Sequence, residues 1–172
     1  GVEMPRLNLP KIYLAGKISK NCWRHSLVPR LRQGNWDDGA LDCGPFVYVG
    51  PFFESCDHGC YHEPTGHGNI GGNNLCQSPT KTQEQVRTAC LRSIDTCDIL
   101  FAYIDTHECY GTVAEIQYAR GKDKTIVIIF GPEIATPDKN EFWFVQLGAD
   151  VTKYNVPGGA LPGLLETILE KL

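Results

Sequence analysis

No apolar run in the sequence approaches the ~20 residues that a membrane-spanning helix needs. There is no internal repeat, no heptad run and no low-complexity segment, which excludes solenoids, coiled coils and collagen-like chains. The stretch "GVEMPRLNLP" lacks the charged and apolar regions of a signal peptide. Positive charge is not in excess either. A formal net charge of -4 gives no global electrostatic reason to expect nucleic acid as a partner. What remains is a globular chain of 172 residues, most simply a single domain, long enough to bury about two-thirds of its unfolded surface.

The eight cysteines do not read as a secreted disulfide framework, because such frameworks serve small domains that lack an adequate core. Cys90 and Cys97 fall in helix-like sequence, where a free thiol behaves as a small hydrophobe. Reduced thiols and a cytoplasmic location are therefore expected.

Periodicity orders the chain. "KIYLAG" (11–16) is a short strand closed by glycine, and "FVYVGPFF" (46–53) is a second. "WRHSLVPRLR" (23–32) has helical character, with Pro29 in a first turn or kinking the segment. A polar, glycine-rich loop over about residues 54–80 follows, and loops of that length usually carry function. "TQEQVRTACLRSIDTC" places Val86, Ala89, Cys90, Ile94 and Cys97 on one helical face. "DILFAYID" (98–105) and "KTIVIIF" (124–130) are near-continuously apolar, as buried parallel strands are. Between them "TVAEIQYARG" (112–121) forms a short helix. "EFWFVQLGADV" and "ALPGLLETILEKL" give later helices, with a weak strand near 151–154. This alternation predicts an α/β fold: a flavodoxin-like, doubly wound parallel sheet of about five strands with helices on both faces. Ligands of such sheets bind at the carboxyl ends of the strands, so the loops after Ala15, Phe53 and Ile104 are the candidates.

Glu115 admits two readings. In the first, Thr112 caps the helix and Glu115, three residues on, reaches back to its backbone N–H, a capping box that contributes about 1 kcal/mol. In the second, Glu115 points into the cleft at the strand ends. A carboxylate there can attack an electropositive sugar carbon and form a covalent glycosyl–enzyme intermediate.

An aspartate-led apolar strand, a loop, then Gly111-Thr112-x-x-Glu115-Ile116-x-Tyr118-Ala119 resembles the nucleoside 2-deoxyribosyltransferase family. "IYLAG" is similar to that family's opening strand, and the resemblance covers residues 11–19 and 86–130. It implies cleavage or transfer of the N-glycosidic bond of a nucleoside or nucleotide, with Glu115 as nucleophile. Tyr13 matches a tyrosine near the sugar in related hydrolases, although an aromatic in the core is an equal reading of it. Gly16, Lys17, Ile18 and Ser19 match a turn that meets a 5′-phosphate in nucleotide-using relatives, a role that backbone N–H groups and a lysine favour. A solvated surface lysine is the alternative for Lys17. Tyr110, Gly111 and Thr112, at the other candidate loop, are expected at the substrate. The resemblance also implies at least a homodimer and no cofactor.

Two positions depart from the family. Its usual aspartates correspond here to Cys90 and Cys109. Asp105, His107 and Glu108 lie close by as substitutes, with Asp105 taken as the third catalytic candidate. Without an acid, departure of a neutral base loses a contribution of typically about 10²–10⁴-fold. Nicotinamide leaves without protonation, so cleavage of NAD or ADP-ribose compounds is an alternative activity. A nucleotide-binding sensor without catalysis is another. Trp143 is either near the base, as in a tryptophan-containing helix of a bacterial branch, or packed in the core with Phe142 and Val145. Tyr118, one turn from Glu115, is either its hydrogen-bond partner or a core residue.

"ESCDHGCYHEPTGHG" (54–68) resembles a metal site, since Cys56-x₃-Cys60 and His62-x₄-His67 both have zinc-ligand spacing. The two pairs are separated by one residue, against ~12 in a zinc finger, and glycosyl transfer through a carboxylate needs no metal. The expectation is a substrate-facing lid without metal, contacting the nucleoside through Asp57 and His58, with Gly59, Gly66 and Gly68 in tight turns. A zinc-stabilised interaction module and a plain surface loop are the alternatives.

Overall fold

Four apolar segments rich in β-branched and aromatic residues build the centre of one sheet. The computed structural model describes residues 8–18, 22–33, 40–52, 82–136 and 138–172. The strands are β1 (Lys11–Ala15), β2 (Leu41–Asp42), β3 (Val47–Gly50), β4 (Ile99–Ile104), β5 (Thr125–Phe130) and β6 (Val151–Lys153). They run in the order β2-β3-β1-β4-β5-β6, parallel except for the β2–β3 pair. The protein is thus an α/β fold on a six-stranded, mostly parallel sheet.

Side chains alternate across a strand, so each strand feeds two cores. Ile12, Leu14, Phe101, Tyr103, Val127 and Ile129 face one layer, with Leu27, Leu31, Leu161 and Leu165 packed on them. Tyr13, Ala15, Leu100, Ala102, Ile104 and Ile128 face the other, with Ile94, Ile116 and Ala119. Helices α1 (Arg24–Leu27) and α5 (Leu161–Lys171) therefore cover one face, and α2 (Gln83–Thr96) and α3 (Tyr110–Gly121) the other. All six residues of β4 are buried, as its unbroken apolar sequence implied.

Several expectations are corrected. Beside the strands that the periodicity predicts lies β2, whose two residues turn at Cys43–Phe46, with Cys43 N–H donating to the Phe46 carbonyl at 2.9 Å. The segment 23–32 is not one helix: α1 ends at Leu27 and a 3₁₀ turn runs over Pro29–Gln33. Pro29 has no N–H to continue the ladder. The "EFWFVQLGADV" helix shrinks to α4 (Trp143–Gln146). Helix α2 opens on a true capping box, in which Thr82 Oγ1 accepts from Gln85 N–H at 3.1 Å and Gln85 Oε1 from Thr82 N–H at 2.9 Å. Among the described residues no helix is long and apolar enough to cross a membrane.

Candidate active site

The chain leaves β1 toward β3 on one side and returns to β4 on the other, which opens a crevice at the carboxyl ends of β1 and β4. A cavity of about 680 Å³ lies there, in the range of small-molecule sites. One wall is Gly16, Lys17 and Ile18 after β1. A second is the start of α3, from Glu108 to Thr112, followed by Glu115. Helix α2 supplies the third through Gln83, Val86, Arg87 and Cys90.

Glu115 is the chemical centre of this arrangement. Helix α3 begins at Tyr110, with Val113 N–H bonded to the Cys109 carbonyl at 3.1 Å. That start lies two residues before the expected one and removes the capping-box reading. Thr112 is already inside the first turn, buried, and α3 has no side-chain cap. Glu115 lies on the second turn and turns inward, where Tyr13 O–H donates to its Oε2. It opens into the cavity and is otherwise packed in protein. Burial pushes its carboxyl up to about 7, against the opposing pull of the Tyr13 hydrogen bond and the Arg24 charge. The group can thus exchange a proton near neutrality.

Tyr13 has no accessible surface and does not line the cavity, so it is a core aromatic whose hydroxyl is partnered by Glu115. Burial, and then the nearby Glu115 and Cys90, push its phenol well above its ordinary value. It stays a donor at any ordinary pH. Gly16 is required by contact: a Cβ there would lie 2.7 Å from the Tyr103 carbonyl oxygen and 2.9 Å from Trp23 Cζ2. Gly111 is not, since open space surrounds that position. Lys17 is exposed on the cavity wall, and Tyr110 stands at the mouth, 82% exposed.

Other candidates lie elsewhere. Asp105 is partly buried but is not part of the cavity lining. Burial raises its pKa, and the Glu133 carboxylate adds to the shift. Among the three substitute groups the cavity takes Glu108 instead, while His107 stacks on Phe142 at 5.5 Å. Tyr118 O–H donates to Asp95 Oδ1 at 2.8 Å rather than to Glu115, while its partly buried ring packs against the core layer of α3. Trp143 is 53% exposed and packs on the still more open Phe144; of its trio only Phe142 and Val145 are buried. Cys90 and Cys109 both line the cavity, and burial pushes the Cys109 thiol up to about 11. Ser19, Asp57, His58 and the rest of the 54–68 stretch lie outside the described residues. Among the described residues no three His, Cys, Asp or Glu side chains group to hold a metal.

The structure also brings in Arg24, which no motif singled out. Its guanidinium is fully buried and donates to the carbonyls of Leu14 at 2.9 Å and Gly16 at 2.8 Å. The sequence did carry a signal. Arg24 starts the series Arg24, Leu27, Val28, Leu31, an i, i+3, i+4, i+7 apolar face whose first member is charged.

Fold and site together define a class: an α/β protein with an ionisable carboxyl group in a cavity at the strand carboxyl ends. No model of a known protein family matches the chain, and no curated protein matches it.

Proposed function

We propose that the protein cleaves or transfers the N-glycosidic bond of a nucleoside or nucleotide, with Glu115 as nucleophile. The observation that carries this is a carboxyl group titrating near 7, opening into a cavity of about 680 Å³ and held by a permanent phenol donor. Two further features support the reading. The parallel strand order β3-β1-β4-β5-β6 supports a flavodoxin-like reading, in which ligands bind at this switch point. Lys17 and the N-terminus of α3 favour an anionic group beside the sugar.

In the reaction the Glu115 carboxylate bonds to the anomeric carbon as the bond to the base nitrogen breaks, through an oxocarbenium-like transition state. The bonding pair leaves with the base, which takes a proton from solvent. Water or a second base then attacks the anomeric carbon and releases the Glu115 carboxylate. Water gives a hydrolase and a base gives a transferase. In the family this resembles, neighbouring subunits complete the pocket, so a homo-oligomer belongs to the proposal.

The thiols at the cavity favour a second reading. Cys109, titrating near 11, and Cys90 occupy positions where acids would assist a leaving base. A leaving group that departs neutral, such as nicotinamide from NAD, needs no such acid. Incubation with nucleosides, nucleotides and NAD, with free base followed by chromatography, separates the two. Release from at least one substrate, lost in Glu115→Gln, is expected. No release from any of them, or release unchanged by the substitution, sinks the catalytic claim.

A further inference from the structure

We propose that Arg24 is the positioning residue of this site: its buried guanidinium holds the Gly16–Ile18 wall and supplies the cation behind Glu115. The inference rests on reading Glu115 as the reacting carboxylate. It begins with the backbone. The last β1–β3 pair is Tyr13 with Gly50, and the next residue, Pro51, carries no N–H. β1 stays paired with β4 through Ala15, but on the β3 side Arg24 supplies the donors beyond that point. Nε donates to the Leu14 carbonyl at 2.9 Å, Nη2 to Gly16 at 2.8 Å and Nη1 to Lys17 at 3.3 Å. Three carbonyls of one turn are thus tied to one rigid plane, which a lysine ammonium cannot reproduce. The turn so held is the cavity wall opposite α3.

Burying a guanidinium is costly unless its charge is used. Among the described residues its hydrogen-bond acceptors are those three carbonyls and the Cys22 sulfur, at 3.4 Å from Nη1, none of them a carboxylate. The plane also lies over the Trp23 ring, 4.8 Å from its centroid. The ionisable groups that feel its charge are Cys22, Tyr48 of β3, Tyr13 of β1, Asp105 after β4 and Glu115 of α3. Of these, Glu115 faces the cavity. Lys17, Arg87 and Glu108 line the same cavity, and Tyr13, whose phenol is pushed far up, donates to Glu115 from the sheet. Arg24 reaches the strand end from the layer of α1, across the sheet from α3. It therefore stabilises the Glu115 carboxylate without occupying substrate space.

The test separates charge from geometry. Glutamate labelled with ¹³C at Cδ gives the Glu115 titration directly, its signal identified by loss in Glu115→Gln. Arg24→Met is expected to raise the Glu115 midpoint by about one pH unit or more. Arg24→Lys keeps the midpoint within about half a unit but speeds amide hydrogen exchange at Leu14 and Ala15, in the ladder that ends at this turn, by about tenfold, because the plane of donors is gone. An unmoved midpoint in the methionine variant overturns the electrostatic role. Unchanged exchange in the lysine variant overturns the positioning role, and it is read whether or not the methionine variant folds. Neither measurement needs turnover, so a failure to release any base counts against the glycosidase reading alone.

Discussion

Two carboxyl groups flank the exit from β4, and both are pushed up by burial, yet their surroundings differ. Glu115 opens into a cavity and faces a phenol donor and a buried cation. Asp105 lies outside the cavity and faces Glu133, a like charge that adds to its shift. The balance of neighbours separates them. At Glu115 a phenol donor and the Arg24 cation act against burial. At Asp105 the Glu133 anion reinforces burial ahead of a backbone donor and the same Arg24 charge. A reacting carboxylate needs the first environment.

Activity breaks or keeps this comparison most directly. Glu115→Gln is expected to lower base release by on the order of 10³-fold, and Asp105→Asn by less than about tenfold. Steady-state rates on whichever substrate releases base give both numbers. Equal losses would make Asp105 a partner in the chemistry and erase the distinction.

Stability gives the next largest effect, with a sign that depends on pH. An ordinary glutamate titrates near 4.5, and Glu115 in the fold near 7. The folded state holds the proton more tightly, so this group's contribution is fully present below about pH 4.5 and is lost as pH rises through about 7. At pH 8 Glu115→Gln should therefore be more stable than the parent by about 2–3 kcal/mol, and at pH 4 no more stable. Urea unfolding at the two pH values reads it. Asp105→Asn should gain in the same direction, since it also removes repulsion from Glu133. A gain at pH 8 accompanied by lost activity would mark Glu115 as a group held at a cost for function.

How far the sequence discloses this contrast depends on which physics sets each part. β4 and β5 are legible because both of their faces are covered, which forces continuous apolar sequence. β2 is not, because two residues carry no period. The start of α3 is obscured by the Thr112–Glu115 spacing, which matches a capping box, whereas the actual first bond uses the Cys109 carbonyl and no side chain. Gly16, Lys17 and Ile18 are legible because glycine closes a strand and ligands collect at strand ends. Asp105 misleads through the pleat. It continues the alternation of Phe101 and Tyr103, which face the α1 and α5 layer, whereas Tyr13 and Ile104 face the side of α3. Arg24 is hidden in an apolar helical face, and only the structure shows which carbonyls it serves.

Tyr13 sharpens the comparison with a smaller effect. Tyr13→Phe removes the phenol donor that Glu115 has among the described residues while filling nearly the same volume in the core. A hydrogen bond to a charged group contributes about 1.5–3 kcal/mol, so the Glu115 midpoint should move up by about one pH unit. At pH 7 the carboxylate fraction then falls, and base release drops by about five- to tenfold. At pH 9 the loss is largely restored. A pH–rate profile whose rising limb stays near 7 in Tyr13→Phe would show that the phenol does not set the charge of Glu115.

Tyr118 gives the smallest expected effect. It lies one helical turn beyond Glu115 and borders the same cavity, yet its hydroxyl is committed to Asp95 at 2.8 Å. Lys122 Nζ lies over its ring at 5.5 Å and 4.0 Å from Asp95 Oδ1. This is a solvated surface cluster, where such contacts are worth less than about 1 kcal/mol. Tyr118→Phe should therefore change stability by under about 0.5 kcal/mol and leave the rising limb of the pH–rate profile near 7. A shifted limb would place the Tyr118 hydroxyl on Glu115 during turnover, and the carboxylate would then be held by two phenols, one from the sheet and one from its own helix.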